Sequence, residues 1–183
     1  MTSILDFWRW GYSDLLVNSA RGVLAEYIVA LALGVDKGTP REEWATYDLL
    51  CEGIKIEVKS SAYLQSWGQK DFTKPLFSIA PTKPWDAEKG TYGDKASRGA
   101  DVYVFCLLKH KDPETIDPTN LDQWEFYVLP TETLDAQKGA QAHIGLSNVL
   151  KLNPQVVSFP GLRDAIFGAA EPRTAQDFAP EEK

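Results

Sequence analysis

The chain has 183 residues, 25% of them charged, and a formal net charge of −7 at pH 7. This length predicts one domain, over residues 1–170, whose core is large enough to be stable without disulfides or structural metals. Cys51 and Cys106 are the two cysteines and have no metal-ligand spacing, which argues against a disulfide framework and predicts reduced, packed thiols in the cytoplasm. No signal-peptide pattern and no membrane-spanning apolar run is present, so we expect a soluble protein.

The first predicted helix covers residues 4–17. Three aromatic side chains, Phe7, Trp8 and Trp10, are its expected anchors to the core. From this end the sequence changes from helix-rich to strand-rich, which predicts an α/β fold with two N-terminal helices.

A second helix is predicted over residues 22–33, with Asn18 or Ser19 as its N-cap and Gly34 as its end. Glu26 is the only charged residue within it, and no basic residue lies three or four positions away. A buried carboxylate normally becomes neutral, forms an ion pair or binds a metal. Glu26 is therefore a candidate metal ligand, and a salt bridge to a distant Arg or Lys is the alternative.

A β-hairpin is predicted next. Apolar residues alternate with charged ones over residues 54–59, which is typical of a half-buried strand and places Glu57 and Lys59 on one face. A second apolar run ends at Leu50. Glu52 and Gly53 can form the two-residue turn between the strands, since glycine readily adopts the positive φ that such turns require.

The register of this hairpin brings two acids together. If Cys51 pairs with Ile54, Asp48 lies directly opposite Glu57, and like charges in that position destabilise a sheet. A divalent cation such as Mg²⁺, which prefers oxygen ligands, would relieve the repulsion, and Lys59 would then lie beside it. The alternative is an amphipathic hairpin whose polar face is simply hydrated.

The second half of the chain predicts the centre of the sheet. Residues 102–108 form a continuous apolar run, as expected for a strand buried on both faces of a mixed sheet. Pro, Gly and Lys dominate residues 81–98, which predicts a loop or a short terminal helix. Further strands are predicted at 76–80, 124–129 and 156–159. One short helix is predicted with Thr131 as its N-cap, and a closing helix is predicted over residues 162–167. Residues 171–183 are predicted to be a disordered acidic tail.

The charge is unevenly distributed along the chain. Residues 55–111 carry +4 and the rest carries −11. Lysines within the positive segment, among them Lys70 and Lys74, are candidate phosphate contacts, and a solvated loop is the alternative. Arg98 is a further candidate, although it could instead pair with Asp101 as a structural ion pair.

A helix with one inward acid, followed by an Asp, a hairpin and the sequence Glu-Val-Lys, resembles the PD-(D/E)XK nuclease superfamily. The resemblance covers roughly residues 18–108 and implies a restriction-endonuclease-like core, a central mixed β-sheet flanked by helices. It implies that Asp48 is the catalytic aspartate, that Glu57 is the second acid and Lys59 the catalytic lysine. Glu26 corresponds to the acid that many members carry on the first core helix.

Other positions follow from the same resemblance. The backbone carbonyl of Val58 is implied as a further metal ligand. Ser61 and Gln65 lie in a segment that resembles the polar stretch after the lysine in several members, which implies contact with nucleic acid. Tyr47 departs from the pattern, because it replaces the proline of the superfamily name, as in many members.

The chemistry implied is hydrolysis of phosphodiester bonds with Mg²⁺ or Mn²⁺. We expect a DNA endonuclease in restriction, repair or defence, for which a homodimer and a specificity subunit are the candidate assemblies. The alternatives are a catalytically silent module that binds a protein or nucleic-acid partner, and a nuclease subunit that depends on a separate specificity protein. Retention of Asp48, Glu57 and Lys59 favours catalysis, since an inactive protein would have little reason to keep a repulsive acid pair.

Overall fold

A five-stranded mixed sheet forms the centre of the computed structural model, which describes residues 2–35, 46–83, 85–86 and 90–170. The described residues form nine strands, which in chain order are β1 (Leu49–Cys51), β2 (Ile54–Ala62), β3 (Leu76–Ser78), β4 (Trp85–Asp86), β5 (Thr91–Tyr92), β6 (Val102–Leu108), β7 (Trp124–Pro130), β8 (His143–Gly145) and β9 (Gln155–Val157). The helices are α1 (Ile4–Tyr12), α2 (Asn18–Leu33), α3 (Thr131–Lys138), α4 (Leu146–Leu150) and α5 (Leu162–Ala170).

The strand order of the central sheet is β1-β2-β6-β7-β9. Strands β2 and β6 are parallel, and the other neighbours are antiparallel. All seven residues of β6 are buried, as the continuous apolar run predicts for a central strand. The predicted α/β fold, with a mixed sheet flanked by helices and two helices at the N-terminus, is therefore confirmed.

Each face of the sheet has its own hydrophobic core. On one face Val58 and Cys106 pack with Ile28 of α2 and Ile166 of α5. On the other face Phe105 packs with side chains from the small β3-β8 sheet and from α3; its ring lies 5.1 Å from that of Phe77, edge to face. Because side chains alternate along a strand, β2 sends its even-numbered residues up to 58 toward α2 and its odd-numbered residues toward the second face.

The prediction for the first helix is wrong in two respects. The helix ends at Tyr12, and the Asp14 carboxylate accepts the Leu16 N–H at 3.0 Å, which forms a turn in place of further helix. None of its residues is buried, and the three predicted anchors are at least 45% exposed. They do not anchor the helix to the described core. The prediction failed because apolar spacing marks a face that could be covered but does not show whether another element covers it.

Two predicted caps are also wrong. The second helix begins at Asn18, with Val17 as an N-cap that makes no side-chain bond, while Gly34 ends it in the left-handed conformation as predicted. Thr131 is the first residue of α3, and its buried hydroxyl has no hydrogen-bond partner in the described structure.

The remaining predicted elements agree with the structure to within a few residues, and the structure contains further elements that the sequence did not predict. The described part of residues 81–98 contains the β4-β5 pair and a bridge between Thr82 and Ser97 rather than a helix. Strand β8 and helix α4 have no predicted counterpart.

Both cysteines are buried and unpaired, as predicted. The acidic tail at 171–183 lies outside the described residues. Within the described chain, no helix has the length and apolarity to cross a bilayer.

We predict that Gly99→Ala disturbs the start of the hairpin. A Cβ at this position would lie 2.6 Å from the backbone oxygen of Thr46, two residues before Asp48. Such overpacking typically costs about 1–3 kcal/mol of unfolding free energy, which urea denaturation measures. Gly68→Ala is the matched control, because nothing lies within 4 Å of its added Cβ. Equal stabilities of the two variants would contradict the prediction.

Candidate active site

The hairpin has the predicted register. Cys51 pairs with Ile54, and the ladder continues to Leu49 opposite Ile56. The turn residues Glu52 and Gly53 both have positive φ, 50° and 85°, as a type I′ turn requires. This two-residue turn fixes which side chains of the two strands lie opposite each other.

Asp48 extends the ladder with its side chain. Its N–H donates to the carbonyl of Ile56 at 3.0 Å, and its Oδ2 accepts the N–H of Val58 at 2.7 Å. Strand β1 begins only at Leu49, so the carboxylate takes the position of the next backbone acceptor. Asp48 is thereby fixed beside the edge of β2.

Glu57 and Lys59 lie on one face of β2, as the alternation predicts. The Lys59 ammonium donates to Oε1 of Glu57, and both side chains are largely buried, 18% exposed for Glu57 and 25% for Lys59. Glu57 is registered with Tyr103 on the parallel strand β6. We call Asp48, Glu57, Lys59 and the backbone of Val58 the acidic edge.

The charges of two other carboxylates act on Glu57 at this edge. Burial raises the pKa of Glu57; the charge of Lys59 opposes this, and the charges of Asp48 and Glu26 add to it. Burial also raises the pKa of the Cys106 thiol, again with contributions from Asp48 and Glu26. The half-buried Glu26 therefore lies within electrostatic reach of the hairpin acids, on the α2 side of the sheet.

The donor chemistry of the acidic edge suits a hard divalent cation. Asp48 and Glu57 supply carboxylate oxygens, and the Val58 carbonyl points to the same strand edge as the N–H that Asp48 accepts. Mg²⁺ commonly uses one or two carboxylates together with water and substrate phosphate. Within the described residues, no group of three or more His, Cys, Asp or Glu side chains is close enough to hold a metal. Glu26 as a third ligand stays a prediction.

Three of the five residues predicted to contact nucleic acid lie together. Ser61, Gln65 and Lys74 line one cleft of about 250 Å³, between the start of α2 and the loop after β2. Lys70 is exposed on the same loop and does not line the cleft. Because Arg21 also lines it, we call this the Arg21 cleft.

The prediction for Arg98 needs correction. Its side chain is 1% exposed and pairs with Asp135. Its guanidinium also donates to the carbonyls of Ile79 and Gly139, at 2.9 and 2.8 Å. These contacts join the segment before β6 to α3 and the chain that follows it. Arg98 is structural, because Asp135 neutralises its guanidinium and its other donors are used by backbone carbonyls of the fold.

Two residues of this region were missed from the sequence. Arg21 lies one residue before the predicted start of the second helix, so it was left outside that helix. A lone basic residue five positions before Glu26 was the available signal. Gln69 shapes the loop after β2: its side chain accepts the Gln65 N–H at 2.7 Å and donates to the Thr73 hydroxyl at 2.8 Å. Nothing in the sequence around Gln69 indicates this role.

Comparison with protein families identifies an endonuclease. The family model described as bacteriophage T4 endonuclease IV matches residues 10–144, which include every predicted site residue. The match covers well over half of the chain, so the chain belongs to this family. A search of curated proteins and a search of solved structures both found no match. The protein is therefore a nuclease, with nucleic acid as its substrate.

We predict that Glu57→Gln stabilises the metal-free protein at neutral pH. The folded-state pKa of Glu57 is raised, so the folded chain binds its proton more tightly than the unfolded chain does. Stability is consequently lost as the pH rises from the unfolded pKa, near 4.5, through the folded pKa. Urea unfolding in EDTA should show a gain for Glu57→Gln at pH 7 that disappears below pH 4.5.

In the same assay we predict a change in stability of the opposite sign for Lys59→Met. Removing the ammonium takes away the charge that opposes the raised pKa of Glu57, so this variant should lose stability at pH 7. A Glu57→Gln variant that is destabilised at pH 7 would contradict the account, because the Glu57–Lys59 ion pair would then outweigh burial and repulsion.

Proposed function

We propose that the protein is a metal-dependent DNA endonuclease of the PD-(D/E)XK type, with Mg²⁺ or Mn²⁺ bound at the acidic edge. The observation that carries the proposal is the hairpin geometry: Asp48 bonds the Val58 N–H, and the flanking Glu57 is in contact with Lys59. An acid pair held in this way, beside a lysine, supports cation binding rather than a purely structural role. Membership in an endonuclease family supports the same reading.

Asp48, Glu57 and the Val58 carbonyl would hold the ion, with Glu26 as a further candidate ligand. The ion would supply polarisation of the phosphate and a lower pKa for bound water. Lys59 carries positive charge into a largely buried position, where it orients water and stabilises negative charge that develops on the phosphate. In the reaction a water molecule loses a proton and its oxygen bonds to phosphorus, the bond to the leaving strand oxygen breaks, and that oxygen gains a proton.

The Asp48–Val58 contact has a positioning role in this scheme. A hydrogen bond to a charged group is worth about 1.5–3 kcal/mol, so the carboxylate keeps its orientation without a bound ion. Preorganised ligands lose little freedom when an ion and a phosphate arrive. The biological setting we propose is restriction, repair or defence.

The alternative from another class is a catalytically silent module that binds a partner. The acidic edge argues against it, because Glu57 is kept in a position where burial and neighbouring acids disfavour its charge. A nuclease that acts with a separate specificity subunit or as a homodimer is compatible with the same site. DNA rather than RNA as the substrate is part of our proposal.

The test is cleavage of plasmid DNA, linear DNA and RNA with Mg²⁺, Mn²⁺ or EDTA. We predict that Asp48→Asn and Lys59→Met lower the rate of DNA cleavage by about a hundredfold or more, as the loss of charged catalytic groups commonly does. Asp101→Asn is a matched control: this exposed carboxylate accepts the Lys55 N–H of β2 at 2.8 Å, on the β6 side of the strand. It should cut at close to the wild-type rate.

Losses of equal size in Asp48→Asn, Lys59→Met and the control Asp101→Asn would mean that Asp48 and Lys59 act only through folding. Cleavage by wild type that persists unchanged in EDTA would reject the metal dependence. A preference for RNA over both DNA substrates would reject the proposed substrate.

A further inference from the structure

The Arg21 cleft begins directly beyond the acidic edge. Ser60 and Ser61, the next residues of β2 after Lys59, both line it. At about 3.3 Å per strand residue, these positions lie roughly 3–7 Å along the strand from Lys59. A polymer bound at the acidic edge would therefore extend past this cleft.

Arg21 is a buried cation without an acidic partner in the described structure. The residue is 3% exposed. Its guanidinium donates to the Leu16 carbonyl at 2.9 Å, the Gln65 amide oxygen at 3.3 Å and the Asn18 amide oxygen at 2.6 Å. All three acceptors are neutral, and Nε has no hydrogen-bond partner. Burial lowers the pKa of the guanidinium, which means that the folded structure disfavours its charged form.

A buried charge that lacks an opposite charge is costly, and proteins usually retain one only with a counter-ion or ligand. The groups around Arg21 suit an anion. Lys74 adds a second positive charge, hydroxyl and amide groups supply neutral donors, and no described Asp or Glu lines the cleft. Its electrostatic character is thus the opposite of that of the acidic edge.

Trp67 also lines the cleft, and the residue is 56% exposed. An exposed indole beside a cationic groove is the arrangement on which nucleic-acid bases stack in many proteins that bind single strands. A free phosphate ion would make no use of this ring. The lining therefore favours a nucleotide, with a phosphate and a base, over an inorganic anion alone.

We propose that the Arg21 cleft is a nucleotide subsite that binds the substrate strand next to the bond that is cut. Arg21 and Lys74 bind the phosphate, and Trp67 stacks on the base. The proposal rests on the nuclease function above and specifies how the strand is held. Arg21 acts as a binding residue that is separate from the residues of the acidic edge.

The first test uses inorganic phosphate as the probe and thermal unfolding as the readout. A ligand that binds only the folded state raises Tm by mass action. Phosphate should raise the Tm of wild type more than sodium chloride of equal ionic strength, and Arg21→Gln should reduce the shift to the general salt effect. Lys74→Ala should reduce it in part. Lys151→Ala, which changes an exposed lysine that does not line the cleft, should leave it unchanged.

The second test uses fluorescence anisotropy of a labelled oligonucleotide in EDTA, where no cleavage occurs. Arg21→Gln and Lys74→Ala should weaken binding about tenfold, and each should reduce the slope of log K against log salt by about one. Trp67→Ala should weaken oligonucleotide binding about tenfold while leaving the phosphate-induced shift in Tm unchanged. This pair of results would assign the site to a nucleotide of the strand rather than to free phosphate.

Lys74→Ala keeps the proposal testable if Arg21→Gln does not fold, because Lys74 is exposed. Wild-type phosphate shifts and oligonucleotide affinities in the cleft variants would overturn the subsite. An unchanged affinity in Trp67→Ala would overturn base stacking. Both assays run without a divalent metal, so their outcome is independent of the cleavage assay. Metal-dependent cleavage with no effect of the cleft variants would leave the proposed function intact and reject the subsite alone.

Discussion

The Asp48 carboxylate accepts the backbone N–H of Val58 at 2.7 Å, and the geometry of the acidic edge depends on this contact. Strand β1 stops pairing at Leu49, so the next N–H of β2 on that side would otherwise lack a strand partner. The side chain supplies the acceptor, because the turn at Glu52 and Gly53 sets a register that ends with Leu49 opposite Ile56 and brings residue 48 beside the Val58 N–H. One turn conformation therefore places an acid at the sheet edge and orients it there.

This placement has an electrostatic consequence. Glu57 is largely buried, and the charges of two other carboxylates reach it, with Lys59 as the partial compensation. A few residues further along β2 the polarity reverses, because Arg21 is buried among neutral acceptors. In our proposal the groove therefore holds a cation first and an anion beyond it. A phosphodiester with a divalent cation has the same order of charges, and on this proposal a chain of net charge −7 can act on a polyanion.

The sequence was informative where local rules decide the structure. Two-residue turn chemistry predicts the pairing of Cys51 with Ile54, and an uninterrupted apolar run predicts the buried strand β6. The sequence was uninformative where contacts between residues far apart in the chain determine the structure. Arg98 becomes structural only because Asp135, 37 residues later, packs against it, and Arg21 reaches Gln65 from 44 residues away. The aromatic residues of α1 have the spacing of anchors, yet the described fold leaves them exposed.

The central claim is that the acidic edge binds a divalent metal, and anomalous diffraction from crystals grown with Mn²⁺ tests it most directly. The account predicts an anomalous peak bounded by Asp48, Glu57 and the Val58 carbonyl, and its loss in crystals of Asp48→Asn. A fully occupied Mn²⁺ peak elsewhere in the molecule, with the Lys59–Glu57 ion pair intact and no density at the acidic edge, would contradict it.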